Sequence, residues 1–236
     1  MKIDKTFSRE NKARIYVVED HPIFRDGLIQ LINKEDDMMV CGESENADKA
    51  FKSLEETNPD LVIVDIMLKN SSGIELTKEI QKRFKNIYVL VLSMHDESIF
   101  ADRVLKAGAR GYITKHETTD RVIVAIRRVL SGKIYVSGDM MDRLLGIYIN
   151  GGEKDESPVE RLSEREFEVF NLIGHGLANR RIAEMLSLNS KTVATYRDRI
   201  KEKLNLSTSG ELSRYALLWI QTSNSEKNKP LNLSIV

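Results

Sequence analysis

The sequence predicts an α/β fold: a doubly wound parallel sheet of five strands with helices on both faces, followed by a small all-α domain. Three observations carry this. Short apolar runs such as Leu61-Val62-Ile63-Val64 read as strands buried on both faces. Over residues 13–132 such runs alternate with amphipathic helical stretches, which calls for right-handed crossovers and a parallel sheet. Charge is also uneven: residues 1–157 carry 24 Lys+Arg against 27 Asp+Glu, whereas 158–236 carry 12 against 9. That split suggests two domains, the second suited to meet a polyanion.

The elements follow in order. Ala13 to Val18 reads as a first strand, ending in Glu19-Asp20. Phe24, Leu28, Leu31 and Ile32 then share one helix face. Met38 to Gly42 is a second strand, and Ala47 to Glu56 a helix stopped by Pro59. Asp60-Leu61 to Asp65 is the third strand. Lys69 to Gly73 is a loop by composition, and Leu76, Ile80 and Phe84 mark the next helix. Ile87 to Leu92 is a fourth strand ending in Ser93. A helix over 98–107 stops at Gly108. Gly111 to Thr114 is a short fifth strand ending in Lys115. Val122, Ile126, Val129 and Leu130 define a fifth helix closed by Gly132.

The strand ends define a candidate site. In a doubly wound sheet the C-terminal strand edges converge at the switch point, where ligands bind. Glu19, Asp20, Asp65, Ser93 and Lys115 therefore meet in one shallow site. Clustered carboxylates need a neutralising cation, and an all-oxygen ligand set suits a hard ion such as Mg²⁺. A lysine and a hydroxyl can hold the remaining oxygens of a phosphoryl group. One carboxylate can then act as a nucleophile toward phosphorus. Asp65 is the best placed, because it is central and follows the most buried strand; taken alone it could equally cap a helix.

These residues, with the local wording "VVEDHPIFRDGL", "PDLVIVDIML", "LSMHDE" and "AGARGYITK", resemble the receiver domains of two-component response regulators, in particular the NarL/FixJ subfamily. The resemblance implies a flavodoxin-like (βα)5 receiver with strand order 2-1-3-4-5. It implies that Asp65 is phosphorylated by a sensor histidine kinase. It implies that Asp20, Asp65 and the Met67 backbone carbonyl bind Mg²⁺ directly, with Glu19 acting through water. Ser93 and Lys115 are expected to contact the phosphoryl group, and Ser93 and Tyr112 to shift as the signal spreads. Lys69 stands where receivers commonly have a proline, so that loop lacks one source of stiffness.

Met140, Met141, Leu144, Leu145 and Ile147 fall at helical spacing in residues 137–150 and read as a connector helix. Gly151 to Pro158 reads as a flexible polar linker. Ser163 and Glu166 then form a capping box, and Phe167, Phe170 and Ile173 supply a core-facing stripe. A short helix over 179–186 precedes a third, capped by Asn189 and running to Leu204. Val193, Tyr196, Ile200 and Leu204 share one face of it. A fourth helix spans 211–220. Residues 189–204 hold five Lys/Arg against two Asp/Glu. Two helices joined by a tight turn, the second basic, describe a helix-turn-helix. The stretch "LSEREFEVFNLIGHGLANRRIAEMLSLNSKTVATYRDRIKEKLNL" is similar to the LuxR-type DNA-binding domain. The similarity implies that helix 189–204 enters the major groove of double-stranded operator DNA. Lys191, Thr195 and Arg199, with Ala194 and Asp198 on the same face, are expected toward the bases. Thr192, Arg197, Lys201 and Lys203 are expected at phosphates.

The expected organisation is an N-terminal arm (1–12), a receiver (13–132), a connector and linker (133–158), a DNA-binding domain (159–222) and a polar tail (223–236). The expected function is a phosphorylation-controlled transcription regulator that forms a homodimer on activation, with RNA polymerase as a candidate contact. The alternative is a regulator that binds DNA regardless of phosphorylation. A phosphatase using an aspartyl intermediate is disfavoured, because Ile66, Met67 and Leu68 offer no second carboxylate. The only enzymatic chemistry expected is the receiver's own Mg²⁺-dependent phosphoryl transfer and dephosphorylation. No Gly-rich phosphate loop follows the first strand, against a flavodoxin-like cofactor carrier. No apolar run approaches the roughly 20 residues that span a bilayer, and the charged N-terminus does not read as a signal peptide. The single Cys41 gives no disulfide or zinc pattern. Cytoplasmic location and no membrane association are expected.

Overall fold

The computed structural model describes residues 7–149 and 157–225. The chain forms two compact units, dividing at Met140/Met141. Residues 150–156, which hold most of the expected linker, and 226–236, which hold most of the expected tail, lie outside the described residues. Among the described residues no helix is long and apolar enough to cross a membrane.

In the first unit the main strands are β1 (Ala13–Val18), β2 (Met38–Ser44), β3 (Leu61–Val64), β6 (Tyr88–Ser93) and β7 (Gly111–Thr114). They form one sheet in the order β2-β1-β3-β6-β7, and every pairing is parallel. This is the predicted strand order. The helices between them are α1 (Pro22–Asn33), α2 (Ala47–Thr57), α3 (Gly73–Arg83), α4 (Glu97–Lys106) and α5 (Thr119–Leu130). Side chains alternate across a strand, so Ile15, Val17, Leu61, Ile63, Leu90 and Leu92 gather on one face with Leu28 and Ile32 of α1 and Val122, Ile126 and Val129 of α5. Tyr16, Val18, Val62, Val64, Val89 and Val91 are equally buried and face the other way. With no polar face left to a central strand, each can change from apolar to charged only where it ends.

Several features differ from the sequence expectation. The stretch read as a loop from Lys69 holds the turn and second strand of a small antiparallel hairpin, β4 (Met67–Leu68) with β5 (Ser71–Ser72), turning through Asn70 at φ +59°. Gly73 is the first residue of α3, not a loop residue. A Cβ there would stand 1.9 Å from the Asp65 carbonyl oxygen and 2.9 Å from Ile66 Cα. Only glycine lets α3 begin this close, and its N–H donates to Ile66 O at 2.8 Å. Tyr135, within the expected connector, makes an isolated bridge to Gly111 of β7: Tyr135 N–H donates to Arg110 O and Tyr112 N–H to Tyr135 O, each at 2.9 Å.

The second unit contains α7 (Glu164–Gly174), α8 (Asn179–Met185), α9 (Ser190–Leu204) and α10 (Ser209–Ser225), and the helix α6 (Gly138–Ile149) crosses the division between units. The Ser163–Glu166 capping box opens α7. Asn189 caps α9 by accepting from Thr192 N–H, and Asn205 in the left-handed region ends it. Phe167 and Phe170 meet Trp219 at ring-centroid distances of 5.5 and 5.7 Å, joining α7 to α10. The last helix starts earlier than expected because Thr208 Oγ1 accepts from Glu211 N–H while Glu211 Oε2 accepts from Ser207 N–H.

Gly73→Ala is expected to lower stability by about 3 kcal/mol, because the atoms it would strike are backbone and cannot rotate away. Urea denaturation measures this; a loss under about 0.5 kcal/mol, the range of an unimportant surface change, would contradict the close-approach account.

Candidate functional site

The sheet brings the predicted residues to one edge. β1 delivers Glu19 and Asp20, β3 delivers Asp65, β6 ends on Ser93 and β7 leads into Lys115. Backbone bonds hold these ends in register: Asp65 N–H donates to Val18 O at 2.9 Å and Lys115 N–H to Ser93 O at 2.8 Å. Lys115 Nζ lies 2.7 Å from Asp65 Oδ2 and 2.5 Å from Glu19 Oε2. All three side chains are almost fully buried, at 3–4% exposure. Asp20 completes the acidic group and is slightly more open.

Three carboxylates against one ammonium leave the pocket negative. Burial pushes the Asp65 carboxyl up to about 7, with Glu19 and Asp20 adding to the rise and Lys115 opposing it. Burial also raises Asp20. For Lys115 burial works downward, but Asp65 and Glu19 outweigh it and hold the ammonium above the ordinary lysine value. Carboxylate oxygens of Glu19, Asp20 and Asp65, with one nitrogen of His21, lie within 4.8 Å of one another. Uncompensated buried charge on closely spaced oxygens fits a hard divalent cation.

Ser93 is fully buried. Its Oγ accepts from His95 N–H at 3.2 Å. Tyr112 is already turned inward, at 1% exposure, and its hydroxyl donates to His95 O at 2.8 Å. Burial pushes its phenol well up. Met67 stands two residues past Asp65 in the small hairpin, paired with Ser72. Two neighbours were not singled out from sequence. His21 Nδ1 lies 3.0 Å from Glu19 Oε1 and 2.8 Å from Asp20 Oδ1; its position directly after the acid pair was the available signal. Phe24 lies against Lys115, which no local spacing could reveal.

On α9 the predicted residues divide. Lys191, Thr192, Thr195 and Arg199, with Asn189 and Tyr196, line a shallow concavity of about 320 Å³. Tyr196, read from sequence as core, is only half-buried. Thr192 Oγ1 is tied to Asn189 Oδ1 at 3.0 Å. Ala194 is half-buried and Asp198 exposed, and Asp198 pairs with Lys201 at 3.0 Å. Arg197 leans toward Ser213 of α10 at 3.5 Å, and burial lowers its guanidinium. Lys203 Nζ is held by Glu166 Oε2 at 2.6 Å. The outward cationic face is therefore narrower than the charge count suggested.

A buried carboxylate–lysine pocket on a doubly wound sheet, carried in one chain with a helix-turn-helix unit, defines the class of two-domain signalling regulators. Residues 15–127 match the response regulator receiver domain and 160–216 the luxR family of bacterial regulatory proteins. The oxygen regulatory protein NreC of Staphylococcus epidermidis is 34% identical over 210 residues, covering 86% of this chain and 96% of that protein. The transcriptional regulatory protein DegU of Brevibacillus brevis is 32% identical, covering 84% and 89%. The structure of RcsB from Salmonella enterica serovar Typhimurium, bound to promoter P1flhDC in the presence of phosphomimetic BeF3⁻, is similar at 25% identity and a TM-score of 0.57, covering 87% of this chain and 98% of that one. The chain belongs to the two-component response regulators of the NarL/FixJ subfamily, with a receiver domain and a LuxR-type DNA-binding domain.

The charge imbalance has a measurable sign. Asp65 is raised above its unfolded value, so its ionisation costs folding stability progressively between about pH 4 and 7. Without metal, Asp65→Asn is expected to exceed the parent protein in stability by a margin that grows at about 1 kcal/mol per pH unit across that window and levels off above it. Thermal unfolding against pH checks this. A margin that shrinks with rising pH would mean the carboxylate is net stabilised by Lys115.

Proposed function

We propose that this chain is a phosphorylation-switched transcription regulator, acting in the cytoplasm, with residues 13–132 as the receiver, 133–158 as connector and linker, and 159–222 as the DNA-binding domain. The observation that carries the reading is the buried Asp65 carboxylate, 2.7 Å from Lys115 Nζ and beside two further acids at the sheet edge. Asp20, Asp65 and the Met67 carbonyl would hold Mg²⁺ directly, and Glu19 through water. The ion supplies positive charge that offsets the carboxylates and the phosphoryl oxygens.

The Asp65 carboxylate attacks the phosphorus of a sensor kinase's phosphohistidine. A P–O bond forms, the P–N bond breaks, and its electron pair stays on the imidazole nitrogen, which takes up a proton. Lys115 turns a donor from Asp65 to a phosphoryl oxygen. Ser93 donates its hydroxyl to another, while its oxygen still accepts from His95 N–H. Tyr112 is inward already, so the response begins at Ser93. The added charge and acceptor oxygens repack the β6–α4 surface and favour the homodimer. Two DNA-binding domains then address two half-sites about one helical turn apart. On each, Lys191, Thr195 and Arg199 face the bases and Thr192 the backbone, with Arg197, Lys201 and Lys203 in supporting positions.

The test selects DNA fragments retained by the full chain, then measures their affinity with and without Mg²⁺ and beryllofluoride. Beryllofluoride is expected to tighten binding and shift the protein toward dimer. Arg199→Ala is expected to weaken binding about tenfold or more, and Lys203→Ala much less, given its pairing with Glu166. Unchanged affinity and unchanged oligomeric state would overturn the switch. Full regulation by Asp65→Asn in cells would instead favour phosphorylation-independent DNA binding.

A further inference from the structure

Lys115 has a third partner that is not a carboxylate. Its Nζ stands 4.6 Å from the centroid of the Phe24 ring, within the range where an ammonium is attracted to an aromatic face. The ring is well anchored. Phe24 packs against the core cluster of the sheet beside Leu28, and Pro22 opens its helix one residue beyond His21, which follows the acid pair. The position of the ring is thus referenced to Glu19 and Asp20 on one side and to the core on the other. Phe24 and Lys115 also share the wall of an apolar cavity of about 670 Å³, with Ile23, Leu31, Met94 and Val122. Glu117 also lines that wall, but its carboxylate is paired with Arg121 at 2.9 Å.

We propose that Phe24 is the positioning residue for Lys115. Glu19 and Asp65, the two carboxylates that now hold the ammonium, are also the groups a divalent cation or a phosphoryl group would engage. When they do, Lys115 loses part of its present hold. The aromatic face binds no hard cation and carries no exchangeable proton, so it keeps its grip through every state of the pocket. Phe24 therefore fixes the point from which Lys115 turns from the carboxylate to a phosphoryl oxygen. Without the ring, the flexible four-carbon stem can swing along the cavity wall, and the phosphoryl group loses a preset partner.

The contact stands independently of the phosphoacceptor reading; only its consequence for a bound phosphoryl group rests on it. Two readouts on the full chain separate them. In the metal-free protein, proton NMR of the Lys115 ε-methylene is expected to show an upfield ring-current shift, kept in Phe24→Tyr and lost in Phe24→Leu. With Mg²⁺, beryllofluoride affinity is expected to fall about three- to tenfold in Phe24→Leu and to return in Phe24→Tyr. Phe24 replaced by 4-fluoro-, 3,5-difluoro- and pentafluorophenylalanine, nearly equal in size, should lose affinity stepwise as the ring face is drained of electrons. This series keeps the test sharp should the leucine variant fold poorly. Equal affinity across the series, or no ring-current shift in the parent protein, overturns the proposal. No beryllofluoride binding by the parent protein overturns the phosphoacceptor reading instead, and the ring-current shift then decides the contact alone.

Discussion

The Lys115 ammonium, wedged between Glu19 and Asp65 in a site almost closed to water, is the interaction on which the rest of the first unit depends. One cation cannot balance three acids. The imbalance is tolerable only because the sheet is rigid: its strands are buried on both faces, and Glu19 and Asp65 are fixed at strand ends by backbone bonds to Ser44 and Val18. An ordinary core would not keep such a pocket, since apolar residues there would be at least as stable. Keeping it leaves closely spaced carboxylate oxygens whose charge a hard divalent cation would offset.

The second unit has a different logic. It spends its apolar residues on joining α7 to α9 and α10, through Phe167, Phe170, Val193, Ile200 and Trp219, and leaves one face of α9 polar and open. What distinguishes that face is which cations stay uncommitted to the unit's own stability. Glu166 holds Lys203 and α10 draws in Arg197, while Lys191 and Arg199 remain beside Thr195 around an open concavity. A substitution at Lys203 therefore reports on folding as much as on recognition.

Much of this was legible in the sequence. Strand runs that stop abruptly at Glu19, Asp65, Ser93 and Lys115 are local signals, and parallel topology brings such stops to one edge without any knowledge of contacts. The Ser163–Glu166 box and the Asn189 cap are equally local. What could not be read depends on approach between distant segments. Gly73 looks like a loop glycine until the Asp65 carbonyl is seen against it. Tyr135 joins β7 only because the chain turns back after α5. Arg197 and Lys203 carry the same charge as Arg199, and only the packing of α7 and α10 separates them. Phe24 fits a core-facing helix stripe, and its second role exists only because Lys115 arrives from 91 residues further along the chain.

The central claim is that Glu19, Asp20 and Asp65 form one negatively charged pocket beside Lys115 that holds a hard divalent cation. Titrating the full chain with Mn²⁺ as a paramagnetic stand-in and following backbone NMR line widths tests it most directly. The account predicts selective broadening around residues 18–21, 64–67, 93–95 and 114–116, reversed by excess Mg²⁺. Broadening spread over surface acids elsewhere, or none at these strand ends, would contradict it.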